Sequence, residues 1–140
     1  MPPTVISLSV ASYSPDGLPG SQTTLSGPCG VTPDPASPGS FLFTDTGNFL
    51  LRYYNASTNI VSTLAGTAMV SGVTSSYAAL PATSAVFSAA RTVRPFGAGW
   101  LVADYAAYTV RIYWPNGTIQ TLVGSNAGVS GSVGDGGPGA

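Results

Sequence analysis

Apolar and polar side chains alternate with a period of two in short stretches separated by turn residues. Phe41 and Phe43, Leu51 and Tyr53, and Ile60 and Leu64 mark one set; Trp100 and Val102, Val110 and Ile112, and Ile119 and Val123 mark a second. Strands with two distinct faces give this signature, because successive side chains point to opposite sides of the backbone. Strands are therefore predicted to centre on residues 42, 51, 62, 101, 111 and 121, with a first strand near Val31 or Val93 ahead of each set. Eighteen glycines and twelve prolines run through the whole length and argue against long helices. Turns fall where backbone chemistry favours them, at Asp45 to Asn48 around Gly47, and at Asn116-Gly117, a pair that tolerates positive φ in tight hairpins. Residues 66 to 90, rich in Gly, Ser and Ala, read as a connection. The fold class is all-β, and no apolar run approaches the roughly 18 residues of a membrane span.

The two sets are copies of one unit. Residues 41–54 overlay residues 100–113 at a constant offset of 59, which matches Asp45 to Asp104 and Arg52 to Arg111. The match continues from Asn59 over Thr118 to Gly66 over Gly124, with one residue dropped between. Upstream, Leu18-Pro19 stands opposite Leu80-Pro81, and Val31 and Pro33 stand opposite Val93 and Pro95. Val5, Ile6, Leu8 and Val10 read as a degraded copy of the last strand, and Gly136 to Ala140 reads as the opening of a further unit. The expected organisation is a closing strand in residues 1–12, a first unit in 13–67, a second in 68–126 and a partial unit in 127–140.

In their order these pieces resemble the NHL-repeat β-propellers. The resemblance rests on Gly134 to Ala140, Leu80 to Ala85, Val102-Ala103-Asp104, Asp45 to Asn48, Val110-Arg111, Asn116 to Ile119 and Thr63 to Gly66. It implies that each unit is a four-stranded antiparallel blade. Closed propellers take about four to eight blades, so two blades imply an incomplete propeller, completed by neighbouring chains or excerpted from a longer one. Some enzymes of this kind hold a channel metal with histidines and acids, and this chain contains no histidine.

Charge changes the picture further, since only 6% of residues are charged against about 25% in ordinary globular proteins. The cations are Arg52, Arg91, Arg94 and Arg111, and the anions are Asp16, Asp34, Asp45, Asp104 and Asp135. A net charge of -1 without a basic cluster gives nucleic acid nothing to release counterions against. Lysine, glutamate and histidine are absent and there is one cysteine, which removes most general bases, the usual zinc sets and any Cys/His nucleophile. The expectation is a protein without catalysis, cofactor or metal. A surface this poor in charge needs another device against random association, and the physical candidates are covalent glycan and burial against other subunits.

Asn55-Ala56-Ser57 and Asn116-Gly117-Thr118 are glycosylation sequons, both in the turn before the last strand of a unit. Asp45 with Arg52, and Asp104 with Arg111, stand seven apart around a hairpin, within reach of a cross-strand ion pair or of turn N–H groups. Asp16, Asp34 and Asp135 lie in Gly/Pro loops without the oxygen cluster that calcium requires. Cys29 reads as a buried small hydrophobe, with half of an intermolecular bridge as the other possibility. Arg91 and Arg94, beside Pro95, read as a charged strand edge or as contacts to a neighbour. Aromatic residues are dense in the hairpins (Tyr53, Tyr54, Trp100, Tyr105, Tyr108, Tyr113, Trp114) and read as packing between sheets, with sugar stacking as the competing role.

The function expected from these residues is a structural subunit of an extracellular or cell-surface glycoprotein assembly. Copies of the chain would join head to tail into a homo-oligomer or filament through Val5, Ile6, Leu8 and Val10 at one end and Asp135 and Pro138 at the other. The alternative is a non-catalytic binding module that recognises glycan or peptide. A basic leader is not visible, since no arginine precedes Arg52, so a targeting segment would lie outside these residues.

Overall fold

A computed structural model describes residues 13–73, 76–125 and 127–131. The strand expected at Val5 to Val10 and the assembly residues Val5, Ile6, Leu8, Val10, Asp135 and Pro138 lie outside the described residues. Each stretch of period-two alternation forms a strand. β1 (Pro28–Pro33), β2 (Phe41–Asp45), β3 (Leu50–Asn55) and β4 (Ile60–Ala65) make an antiparallel meander, each paired with the next in sequence. β6 (Ala90–Phe96), β7 (Gly99–Asp104), β8 (Thr109–Trp114) and β9 (Thr118–Val123) repeat it, and the two-residue β5 (Leu80–Pro81) pairs with the outer edge of β9. The connection at residues 66 to 90 thus contributes a fifth strand and a short 3-10 turn at Ala82–Ser84. No α-helix occurs among the described residues.

The first sheet carries the same fifth element in reduced form. Pro19 and Ile60 form an antiparallel bridge where Pro81 pairs with Thr118, and Gly20 N–H donates to Asn59 O where Ala82 N–H donates to Gly117 O. These pairs correct the overlay of Asn59 on Thr118. Tyr54 opposes Val61 as Tyr113 opposes Ile119, and Arg52 opposes Thr63 as Arg111 opposes Thr121, so the last strands match at an offset of 58. The dropped residue lies in the preceding turn, four residues long after Asn55 and three after Trp114. Placing it there keeps Val61 and Ile119 buried on corresponding faces, whereas a shift of one within the strand would turn both to the other side.

Directly opposed residues of an antiparallel pair share a face. On the first sheet Val31, Phe41, Phe43, Tyr54 and Val61 therefore occupy one face, and Leu42, Tyr53, Leu51 and Ala65 the other. Leu42, Leu51 and Ala65 join Val93, Val102, Tyr113 and Ile119 of the second sheet in a single core, filled in by Phe87 and the alanines at 82, 85 and 90. The sheets come close along β1 and β6. A Cβ on Gly30 would stand 2.7 Å from Arg91 O, so only glycine fits there.

Candidate functional site

Two places concentrate chemistry, the buried acid and arginine centres and an open apolar groove. At the end of β2, Asp45 Oδ1 accepts the Ser26 N–H at 2.7 Å, and Oδ2 accepts Asn48 Nδ2 at 2.8 Å. Arg52 Nη1 lies 3.5 Å from the same Oδ2, and both side chains are fully buried. Its Nη2 donates to Ser14 O at 3.1 Å and to Asp16 Oδ1 at 3.3 Å, and the guanidinium sits 5.6 Å from the Tyr13 ring. Asp16 in turn accepts the Thr63 N–H and hydroxyl, each at 2.8 Å. This centre ties the segment leading into the sheet onto β3 and β4.

The second centre has the same frame with other partners. Asp104 accepts the Ser88 and Ala89 N–H groups at 3.0 and 2.7 Å. Arg111 Nη1 donates to Val86 O at 3.2 Å and its guanidinium lies 5.1 Å from the Phe87 ring. Burial lowers the Arg111 pKa from the ordinary arginine range, and the neighbouring Asp104 charge works the other way. Both centres hold loop backbone groups against the sheet, through Asp45 on Ser26 and Arg52 on Ser14 in one and Asp104 on Ser88 and Arg111 on Val86 in the other, which makes them ties between loop and sheet.

The groove lies on the uncovered face of the first sheet. It encloses about 570 Å³ between the sheet and the segment from Gly20 to Val31, with Leu25, Pro28, Phe41 and Tyr54 in its walls. Phe41 and Tyr54 stack with centroids 5.0 Å apart and planes at 30°. Val31 is 58% exposed, while its counterpart Val93 in the second sheet is fully buried. Cys29 also lines the groove and is exposed, which corrects the reading of a buried thiol. Its strand is the first of its sheet and one of its faces has no sheet against it among the described residues, so burial is not supplied.

Of the sequon asparagines, Asn116 lies in the turn before β9 and Asn55 is the last residue of β3. Asn116 is exposed, and its Oδ1 accepts the Thr118 N–H at 3.1 Å and the Thr118 hydroxyl at 2.7 Å. Asn55 is half-buried, with Oδ1 accepting the Ser57 N–H at 2.9 Å. Of the aromatic set, Trp100 and Tyr113 pack together in the core, while Tyr105 and Tyr108 are exposed. Arg91 stacks over the Tyr105 ring at 3.9 Å, and Arg94 donates to Val31 O at 3.2 Å where β6 meets β1. Among the described residues no three of His, Cys, Asp and Glu gather as metal ligands, and no helix is long and apolar enough to cross a membrane.

The groove escaped the sequence reading, although the repeat held a signal for it. The alternation of Phe41, Phe43 and Tyr54 is the same as that of Trp100, Val102 and Tyr113, and only the presence of a neighbouring sheet makes one face core and the other surface.

No protein-family description matches this chain, and no curated protein matches it. Among solved structures it is similar to a structural genomics protein of unknown function from Bacteroides thetaiotaomicron, at a TM-score of 0.61 and 23% identity over 74% of this chain. The match spans 24% of that protein's chain, about a quarter of its length. This likeness shows the fold alone.

Proposed function

We propose that the chain is a pair of NHL-like propeller blades acting as a non-catalytic structural subunit of an extracellular glycoprotein assembly, with copies joined head to tail. One observation carries the reading: among the described residues, the apolar face that the second sheet buries in the core lines, on the first sheet, a groove in which Val31 is 58% exposed. An open apolar surface on a chain with so few charges marks an interaction site. Glycan at Asn116, in an exposed turn, and at Asn55, the last residue of β3, would cover neutral surface at the ends of the sheets. Native mass measurement and electron microscopy of the full chain from its source test the reading. Multimers or filaments carrying N-linked glycan are expected, and a lone unmodified monomer at all concentrations sinks it.

A second reading is favoured by the Phe41 and Tyr54 stack, whose rings border the groove. Aromatic faces of this kind hold sugar rings or peptide side chains. In that case a glycan panel yields a saturable ligand, and Tyr54→Ala abolishes its binding.

A further inference from the structure

Resting on the head-to-tail reading, we infer that the groove of the first sheet receives the outer face of the second sheet from another copy of this chain. Leu101, Val110 and Val123 of one copy would sit over Val31, Phe41 and Tyr54 of the next. The joint inside the chain is the template. Leu42, Leu51 and Ala65 correspond in the repeat to Leu101, Val110 and Val123, and Val93, Trp100 and Tyr113 correspond to Val31, Phe41 and Tyr54.

Within the chain the first three are sealed against the second three. Leu42 is 1% exposed and Leu51 and Ala65 are at 0%, in one cluster with Val93, Tyr113 and the adjoining Trp100. Away from that joint the corresponding surfaces are partly exposed among the described residues, with Val123 52% exposed, Val31 58% exposed, and Leu101, Val110, Phe41 and Tyr54 half-buried. The outer face of the second sheet therefore corresponds to the surface that fits the face lining the groove of the first sheet. The polar ties carry over as well. Thr67 Oγ1 donates to Ala85 O at 3.1 Å inside the chain, and the corresponding donor and acceptor between copies are the Ser125 hydroxyl and Thr23 O.

Several residues differ in size, Leu51 against Val110, Ala65 against Val123 and Phe87 against Leu25, and one difference bears on the spacing of the joint. The seat of Gly30, where a Cβ would meet Arg91 O at 2.7 Å, is occupied in the second sheet by Thr92. Between copies, the β6 side of the joint must stand further from the next β1 than β1 stands from β6 within the chain. The association is accordingly weaker than the internal joint and depends on concentration.

Sedimentation velocity of the full chain, with Val31→Arg and Val123→Arg, tests the pairing. Wild type is expected at multiples of 14.0 kDa. Each variant alone loses association at least about tenfold, because an arginine is driven into an apolar seat. An equimolar mixture of the two forms one-to-one dimers that grow no further, since one partner keeps its groove and the other its outer face. Ala98→Arg, in the exposed turn between β6 and β7, assembles like wild type. Assembly that survives both substitutions overturns the surface assignment but leaves the assembly reading standing, and a monomeric wild type overturns both. A mixture that stays monomeric overturns the pairing of these two faces.

A second measurement needs no substitution: thiol labelling of Cys29 is fast in the dilute monomer and slows at least about tenfold in the assembly. Equal rates overturn the proposal, as does a glycan or peptide that protects Cys29 in the monomer.

Discussion

Asp45 is bound by one N–H, one amide and one guanidinium, and removing its carboxylate leaves Arg52 buried with only the half-exposed Asp16 for charge. Asp45→Ala is expected to cost about 3–5 kcal/mol, because breaking a buried pair strands a desolvated charge. Asp16→Ala costs no more than about 1 kcal/mol, since solvent already screens that partner. Urea unfolding of the two variants separates these outcomes. The spacing of seven made the Asp45 and Arg52 pair visible in the sequence, and it set Asp104 and Arg111 at corresponding buried positions. Their partners were not visible, because Ser26, Ser88 and Val86 offer backbone atoms that any side chain supplies. Equally invisible were Phe49 and Tyr108, at corresponding positions with φ of 61° and 56°, since aromatic residues give no signal for the left-handed region. Such a residue pays about 1–2 kcal/mol, and glycine recovers most of that at a cost of about 0.5–1 kcal/mol in chain entropy. Tyr108→Gly, at a half-exposed position, is expected to be neutral to about 1 kcal/mol stabilising in thermal melts, while Phe49→Gly is destabilising because Phe49 packs against the core. Burial raises the Tyr113 pKa above the ordinary 10.0. The unfolded chain therefore releases this proton first, so stability falls as pH rises beyond about 10. Arg111, shifted downward by burial, gives the opposite slope where its own proton is lost. Comparing wild type with Tyr113→Phe in alkaline denaturation isolates the tyrosine contribution, which the variant lacks.

At the scale of elements, strand positions were legible because alternation and turn chemistry agree. β2, β3, β7 and β8 fall where Phe41, Leu51, Trp100 and Val110 placed them. The short fifth strands were visible only as repeated Leu-Pro pairs, since two residues with a proline are too few to show a period. The length difference between the two copies was visible, but its place was not. Pairing of Tyr54 with Val61 and of Tyr113 with Ile119 puts it in the turn, where backbone is free to shorten. Replacing residues 56–59 with the Pro-Asn-Gly of residues 115–117 is therefore expected to keep the register and to change stability by less than about 1 kcal/mol, checked by thermal melting. Gly66 and Gly124, both at φ of 100°, allow no such exchange. They lie under the carbonyls of Phe49 and Tyr108, where a Cβ would come within 2.3 and 2.2 Å.

At the scale of the whole molecule, the two units share one core, so neither sheet owns its inner surface. Phe87→Ala, at the centre of that cluster, is expected to cost about 3–5 kcal/mol and to lower both sheets' stability in one cooperative transition. Circular dichroism and tryptophan fluorescence should then give coincident curves. The open groove could not be read from one chain's alternation, because burial of a face depends on what stands opposite it.

The burial of Arg52 and Arg111 also governs how proteases meet this protein. With no lysine in the chain, trypsin has four arginines to work on, and Arg94 is followed by proline, which blocks it. Arg52 and Arg111 have 0% and 1% exposure, whereas the strand residue Arg91 is exposed. Cleavage at the other two requires the sheets to come apart, so its rate follows the population of the open chain. Native digestion followed by mass measurement thus turns two structural arginines into a built-in gauge of unfolding, readable without any label.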